Sequence, residues 1–264
     1  LCTTPMVYYF TAADGFDGSV MITASHNPPS DNGLKVSMKT ALPVGYANGL
    51  NEVEKLVNGA SWSEKSELES GVVKNQCGDA LYKKRYLDFL KGRLPSFLQL
   101  QLLSPTLKVG IDCSNGMSSL LVHELFPDAV VINDTLDGTF PNHSPNPLKD
   151  EAREQLAALV REKKLDCGII FDGDADRAMF VDENGEFVQP DYLIPIIARA
   201  TLSTSRLSNF PTSQPSKIIH DVRTSRGAIE TLKELGFEPV MVPVGHAFAK
   251  PILREVGAMC GGEL

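Results

Sequence analysis

The chain has 264 residues, 42% of them apolar and 22% charged, with a formal charge of −8 at pH 7. That acidity argues against non-specific nucleic-acid binding, and no apolar run approaches the ~20 residues that a membrane-spanning helix needs. The five cysteines show no C-x-x-C spacing, and an odd, scattered set fits buried thiols in a reducing, cytoplasmic or organellar compartment better than a disulfide framework.

Thr3-Thr4-Pro5 reads as a cap followed by a first-turn proline, opening a helix to about Ala13. A short apolar strand over 19–23 runs into Ala24-Ser25-His26-Asn27-Pro28-Pro29, where two prolines forbid a continuing sheet. A strand over 33–38 follows, then helices over 50–58 and 79–94. The second helix carries an apolar stripe of Leu81, Tyr82, Tyr86, Phe89 and Leu90. After Pro105 come a strand over 107–112, a helix over 117–125, a strand over 130–132, a packed Pro/Asn/His loop over 138–147, an amphipathic helix over 151–163 and a strand over 167–171. Alternating strands and helices are the signature of a parallel sheet with crossover helices. The pattern recurs after Gln189: a helix over 192–201, an exposed Ser/Thr/Pro linker over 202–216, a strand over 218–222, a helix over 225–235, a strand over 240–242 and a helix over 246–256 stopped at Gly257. Three units are expected, at 1–95, 96–188 and 189–264. The chain opens on Leu1 and closes on Gly261-Gly262-Glu263-Leu264 without a polar tail, and both ends read as cut.

Asp172-Gly173-Asp174-Ala175-Asp176-Arg177 carries the most chemistry. Its acids stand at alternate positions after the strand over 167–171, so all three side chains can point one way. Like charges held so close repel, and a hard divalent cation such as Mg²⁺ relieves them. An acidic turn is the plain alternative. An EF-hand is rejected, because Arg177 stands where that loop requires glycine and the flanks read as strands.

Ser25 also follows a strand, and two strand-end loops can face each other across a cleft. Taken alone, its loop reads as a turn whose serine satisfies a backbone amide. His26 and Lys35 lie close by in sequence and can move a proton from a hydroxyl if their pKa values approach neutrality. The guanidinium of Arg177 suits phosphoryl oxygens, or else pairs with the neighbouring acids. Arg223 after a strand, His246 at a helix start and Glu263 ending a Gly-Gly-Glu turn suit sugar hydroxyls and anions, but on sequence alone each reads more readily as an ordinary solvated surface side chain.

Thr23-Ala24-Ser25-His26-Asn27-Pro28 and the Asp172–Arg177 loop resemble the active-serine and metal loops of the α-D-phosphohexomutases. Val244-Gly245-His246 and Gly262-Glu263-Leu264 resemble that family's sugar-recognising region, and Asn32-Gly33-Leu34-Lys35 also fits. The resemblance implies consecutive α/β domains with mixed and parallel sheets, of the phosphohexomutase type. It implies phosphoserine at Ser25, Mg²⁺ held by Asp172, Asp174, Asp176 and the Ser25 phosphate, and proton transfer by Lys35 or His26. Arg177 would steady phosphoryl oxygens, and Arg223, His246 and Glu263 would bind the sugar. The reaction would interconvert hexose 1- and 6-phosphates through a hexose bisphosphate, which also serves as activator, with a lean toward the glucose and mannose substrates. The family has four domains, and the chain is expected to be a fragment without the start of the first or the fourth. A non-catalytic sugar-phosphate or partner-binding relative and a metal-dependent phosphatase are the competing readings.

Overall fold

The computed structural model describes residues 1–59, 79–93, 107–205 and 215–262. Among them, three sheets follow one another along the chain.

The first is antiparallel, in the order β1 (Gly18–Ile22), β2 (Leu34–Met38), β3 (Leu42–Pro43). Its pleat separates two faces. Val20, Ile22, Leu34 and Met38 share one, and all four are exposed; Met21 and Lys35, paired across the ladder, share the other. That second face lies toward α1 (Thr4–Ala13), as the hydrogen bond from Thr11 to Ser19 records. The cap at Thr3 is as expected: its hydroxyl accepts from the Met6 amide at 3.3 Å. The helices α2 (Leu50–Gly59) and α3 (Asp79–Arg93) follow. Met6 and Phe10 of α1 pack with Tyr86 and Leu87 of α3, and Tyr82, Phe89 and Leu90 join them. Leu81, expected in that stripe, is 60% exposed, and Leu87 takes the buried place instead.

The second sheet has the order β5 (Val130–Ile132), β4 (Val109–Asp112), β6 (Cys167–Phe171), β7 (Ala178–Val181), β8 (Phe187–Val188). Its first three strands run parallel and the last two join antiparallel. The helix expected over 117–125 is broken into a 3₁₀ segment, Met117–Leu120, and a single turn, α4 (Val122–Leu125). The amide of Met117 bonds the Gly173 carbonyl at 2.9 Å, so the segment's first donor is spent on the acidic loop. On one sheet face α5 (Asp150–Lys163) buries Ala152, Leu156 and Val160 against Ile170, Met179 and Val181; on the other Val109, Ile111 and Val122 form a second core. At ~25 cal/mol per Å² of apolar surface buried, both layers stabilise the unit.

The third sheet is wholly parallel, in the order β10 (Glu238–Val242), β9 (Lys217–Asp221), β11 (Cys260–Gly262). Ile218 of β9 packs beneath α6 (Pro190–Ser205) and α7 (Arg226–Glu234), while Ile219 faces α8 (His246–Glu255). The helix α6 continues past its expected end at Thr201, and residues 206–214 of the expected linker lie outside the described residues. Gly261 and Gly262, the two glycines before Glu263, are strand. No described helix is long and apolar enough to cross a membrane.

Candidate active site

The Ser25 loop and the acidic loop meet. The Ser25 hydroxyl lies 2.9 Å from Asp172 Oδ2 and 3.0 Å from Asp174 Oδ1. Carboxylate oxygens of Asp172, Asp174 and Asp176 all lie within 4.8 Å of one another. Backbone and side chains of the first unit hold the acidic loop in place. The Thr4 amide donates to the Asp174 carbonyl at 3.0 Å, and the Thr4 and Thr23 hydroxyls donate to Asp174 Oδ2 at 2.6 and 3.1 Å. Thr23 also accepts from the Ser25 amide at 2.8 Å, so one threonine ties both loops.

Two backbone features make the approach possible. A Cβ on Gly173 would stand 2.5 Å from the Ser25 carbonyl oxygen, so only glycine fits there. Ser25 and Ala175, one in each loop, both adopt left-handed backbone with φ of 55° and 58°. That region is costly for residues with a Cβ, and such strain clusters at functional sites.

The electrostatics match an oxygen-lined cation site. Asp172 is fully buried; burial first, then the charges of Asp176 and Asp174, push its carboxyl up to about 7. For Asp174, burial works to raise the carboxyl, but hydrogen bonds from Lys35, Thr4 and Ser25 outweigh it and hold the group below the usual range. The Lys35 ammonium sits 2.7 Å from Asp174 Oδ2 and 2.6 Å from Asp176 Oδ2. Burial alone would lower its pKa, and these two carboxylates raise it instead. Three converging carboxylates and a hydroxyl form a hard, all-oxygen donor set of the kind Mg²⁺ takes. The buried Asp172, whose charge is opposed by its neighbours, is the observation that calls for such a cation.

His26 lies beside the serine, its Nδ1 3.4 Å from the Ser25 hydroxyl and its Nε2 3.4 Å from Arg177 Nη1. Burial first, then the Arg177 charge, lowers the imidazole's pKa and favours the neutral ring. Arg177 Nε also stands 3.9 Å from Asp176. Ser25, His26, Lys35, Arg177 and the three acids therefore form one cluster.

The sugar-recognition candidates are less gathered. The Arg223 guanidinium folds onto the buried Asp221, its Nη2 2.5 Å from Oδ2. His246 opens α8 after Gly245, whose φ is 117°. Glu263 lies outside the described residues, one position past β11. The loop over 138–147 is packed as expected: His143 Nε2 meets the buried Asp112 at 3.0 Å. Sequence reasoning did not find Thr4, Tyr8 or Lys250. Lys250 Nζ of α8 lies 3.5 Å from the centre of the Tyr8 ring. Both residues feel the charges of Lys35 and Asp176.

Three consecutive family models match the chain: phosphoglucomutase/phosphomannomutase alpha/beta/alpha domain I at residues 1–64, domain II at 84–185 and domain III at 189–264. A phosphomannomutase of Vibrio cholerae is 34% identical over 99% of the chain and 54% of its own length. A phosphoglucomutase/phosphomannomutase family protein from Burkholderia thailandensis superposes with a TM-score of 0.78 at 25% identity, over 100% of this chain and 55% of that one. An Aspergillus fumigatus N-acetylphosphoglucosamine mutase, solved with GlcNAc-6P and magnesium, shares the fold at a TM-score of 0.55 and 16% identity, over 95% of this chain and 61% of that one. The chain thus spans about half the length of the curated relatives it matches.

Proposed function

Because the chain belongs to the phosphoglucomutase/phosphomannomutase family, the α-D-phosphohexomutases, we propose that it supplies the phosphoryl-transfer centre of a mutase that interconverts hexose 1- and 6-phosphates in the cytoplasm. The single observation that carries this reading is the Ser25 hydroxyl at 2.9–3.0 Å from two acids of the neighbouring unit.

In this reading Ser25 is carried as its phosphate ester. The phosphoryl group leaves Ser25 Oγ for a sugar hydroxyl and gives a bound hexose bisphosphate; the other phosphoryl group then returns to Oγ. In the first transfer the attacking sugar hydroxyl gives up a proton and the departing Ser25 Oγ takes one; in the return transfer Oγ gives up that proton and the sugar oxygen takes one. His26, favoured as the neutral ring beside Oγ, can accept. Lys35, held as ammonium by two carboxylates, can donate to a leaving oxygen or hold a phosphoryl oxygen. Arg177 offers its forked donors to the moving group from beside His26. Asp172, Asp174, Asp176 and the serine phosphate would hold Mg²⁺, which supplies positive charge where the transferring phosphoryl group gathers negative charge. Arg223, His246 and Glu263 would orient the sugar between its two transfer positions, with glucose and mannose phosphates as the favoured substrates and a hexose bisphosphate as activator.

The test combines mass and activity. The native full-length protein is expected to carry one phosphoryl group mapping to Ser25, and Ser25→Ala is expected to lose both that mass and mutase turnover. Phosphate released to water without isomerisation would instead support a phosphatase. An unmodified serine together with no turnover on any hexose phosphate would leave only a binding protein.

A further inference from the structure

The third unit sends a cation against the first that none of the assigned roles uses. Lys250 lies on α8, one helical turn beyond position 246, so the two positions share a helix face. That helix packs against β3 of the first unit. The junction is clamped further along the helix, where the Arg254 guanidinium donates to the Thr40 carbonyl at 2.7 Å. Thr40 itself is held in left-handed backbone, with φ of 62°. Between these contacts the Lys250 ammonium rests 3.5 Å from the centre of the Tyr8 ring.

Among the described residues the ammonium has no hydrogen-bond or ion-pair partner. Asp176, the carboxylate whose charge it feels most, is already engaged by Lys35 at 2.6 Å. A half-buried ammonium in this position is costly, and burial lowers its pKa to about 8. An ammonium carries three donors and no acceptor, so the group that completes it must bring anionic oxygens. Lys35 and the acidic loop, where phosphoryl chemistry is placed, are close enough for their charges to reach it.

We infer that Lys250 is a substrate-binding residue, which takes a phosphoryl oxygen of the bound sugar phosphate from the third unit's side. This rests on the mutase reading for its ligand class but not for its geometry. The Tyr8 ring and the Arg254 clamp set the ammonium in place before the ligand arrives, so little ordering remains to be done on binding.

The test is calorimetric titration of the full-length protein, in Mg²⁺ buffer, with mannose 1-phosphate, and with mannose as the same ring without the anion. Lys250→Gln keeps the stem over Tyr8 and is expected to weaken mannose 1-phosphate binding by about tenfold or more, the loss of one charge-assisted hydrogen bond. Lys250→Arg is expected to recover affinity to within about threefold of the unmutated protein. A second readout needs no variant: with ¹³C-methylated lysines, the Lys250 resonance should move on adding mannose 1-phosphate and stay still with mannose. Unchanged affinity in Lys250→Gln, an unmoved resonance, or no binding of the sugar phosphate at all would each overturn the assignment. Intact turnover with unaltered Lys250→Gln affinity would sink Lys250 alone and leave the mutase reading standing. Lys250-dependent binding without turnover would do the reverse.

Discussion

Gly173 shows how a single hydrogen atom permits the site. A methyl group there would meet the Ser25 carbonyl oxygen at 2.5 Å, so Gly173→Ala must push the two loops apart. A displacement of about 1 Å between reacting groups can cost on the order of 100-fold in rate. Gly173→Ala is therefore expected to lose mutase turnover by that order while the protein stays folded, checked by steady-state kinetics beside circular dichroism. The serine and the three acids were legible in the sequence because each set is contiguous and has few other uses. Thr4 and Lys250 were not. Thr4 reaches Asp174 across 170 positions, and nothing local in a helix-capping Thr-Thr pair points to a carboxylate in another unit. Lys250 reads as an ordinary helix-surface lysine until the Tyr8 ring is placed beneath it.

At the scale of the element, the buried pair of Asp112 and His143 pins the loop over 138–147 to the end of β4. Burial works to lower the His143 pKa, but the hydrogen bond and charge of Asp112 outweigh it and raise the value above 6.5. A raised folded pKa means that the folded state holds the proton more tightly than the unfolded chain. The pair's contribution is thus full below about pH 6.5 and falls as pH climbs through the folded value. His143→Gln is expected to cost about 1–3 kcal/mol. The gap in melting temperature between it and the unmutated protein should be wider at pH 6 than at pH 8. Elements of four residues or more were mostly legible from periodicity, as α5 and β6 show. The strands β3 and β8 were missed because two residues cannot display a period, and β11 because two of its three residues are glycine and carry no apolar side chain. The break in the helix expected over 117–125 was invisible because its cause, the Met117 amide turned to Gly173, lies in another loop.

Across the whole molecule, the candidate cation site draws its acids from the second unit and its hydroxyl from the first. A cation bound there would add a tie between two units that also meet through Thr4, Thr23, Lys35 and the cluster of Met6, Phe10, Tyr86 and Leu121. Mg²⁺ at about a hundred times its dissociation constant should add about 2.7 kcal/mol of stability, roughly 5–10 °C in melting temperature. Asp172→Asn should abolish that increment, as read by differential scanning calorimetry with and without EDTA. The triple-layered second and third units were readable as α/β from their alternating pattern. The antiparallel first sheet was not, because strand direction depends on which neighbours the strands find. That sheet also governs how the protein behaves in a test tube. Val20, Ile22, Leu34 and Met38 present a continuous oily strip to water, larger than isolated surface apolars and thus adhesive. Preparations of this polypeptide should light up the dye ANS without any denaturant and cloud on concentration, and a charge placed at Ile22 should quench both.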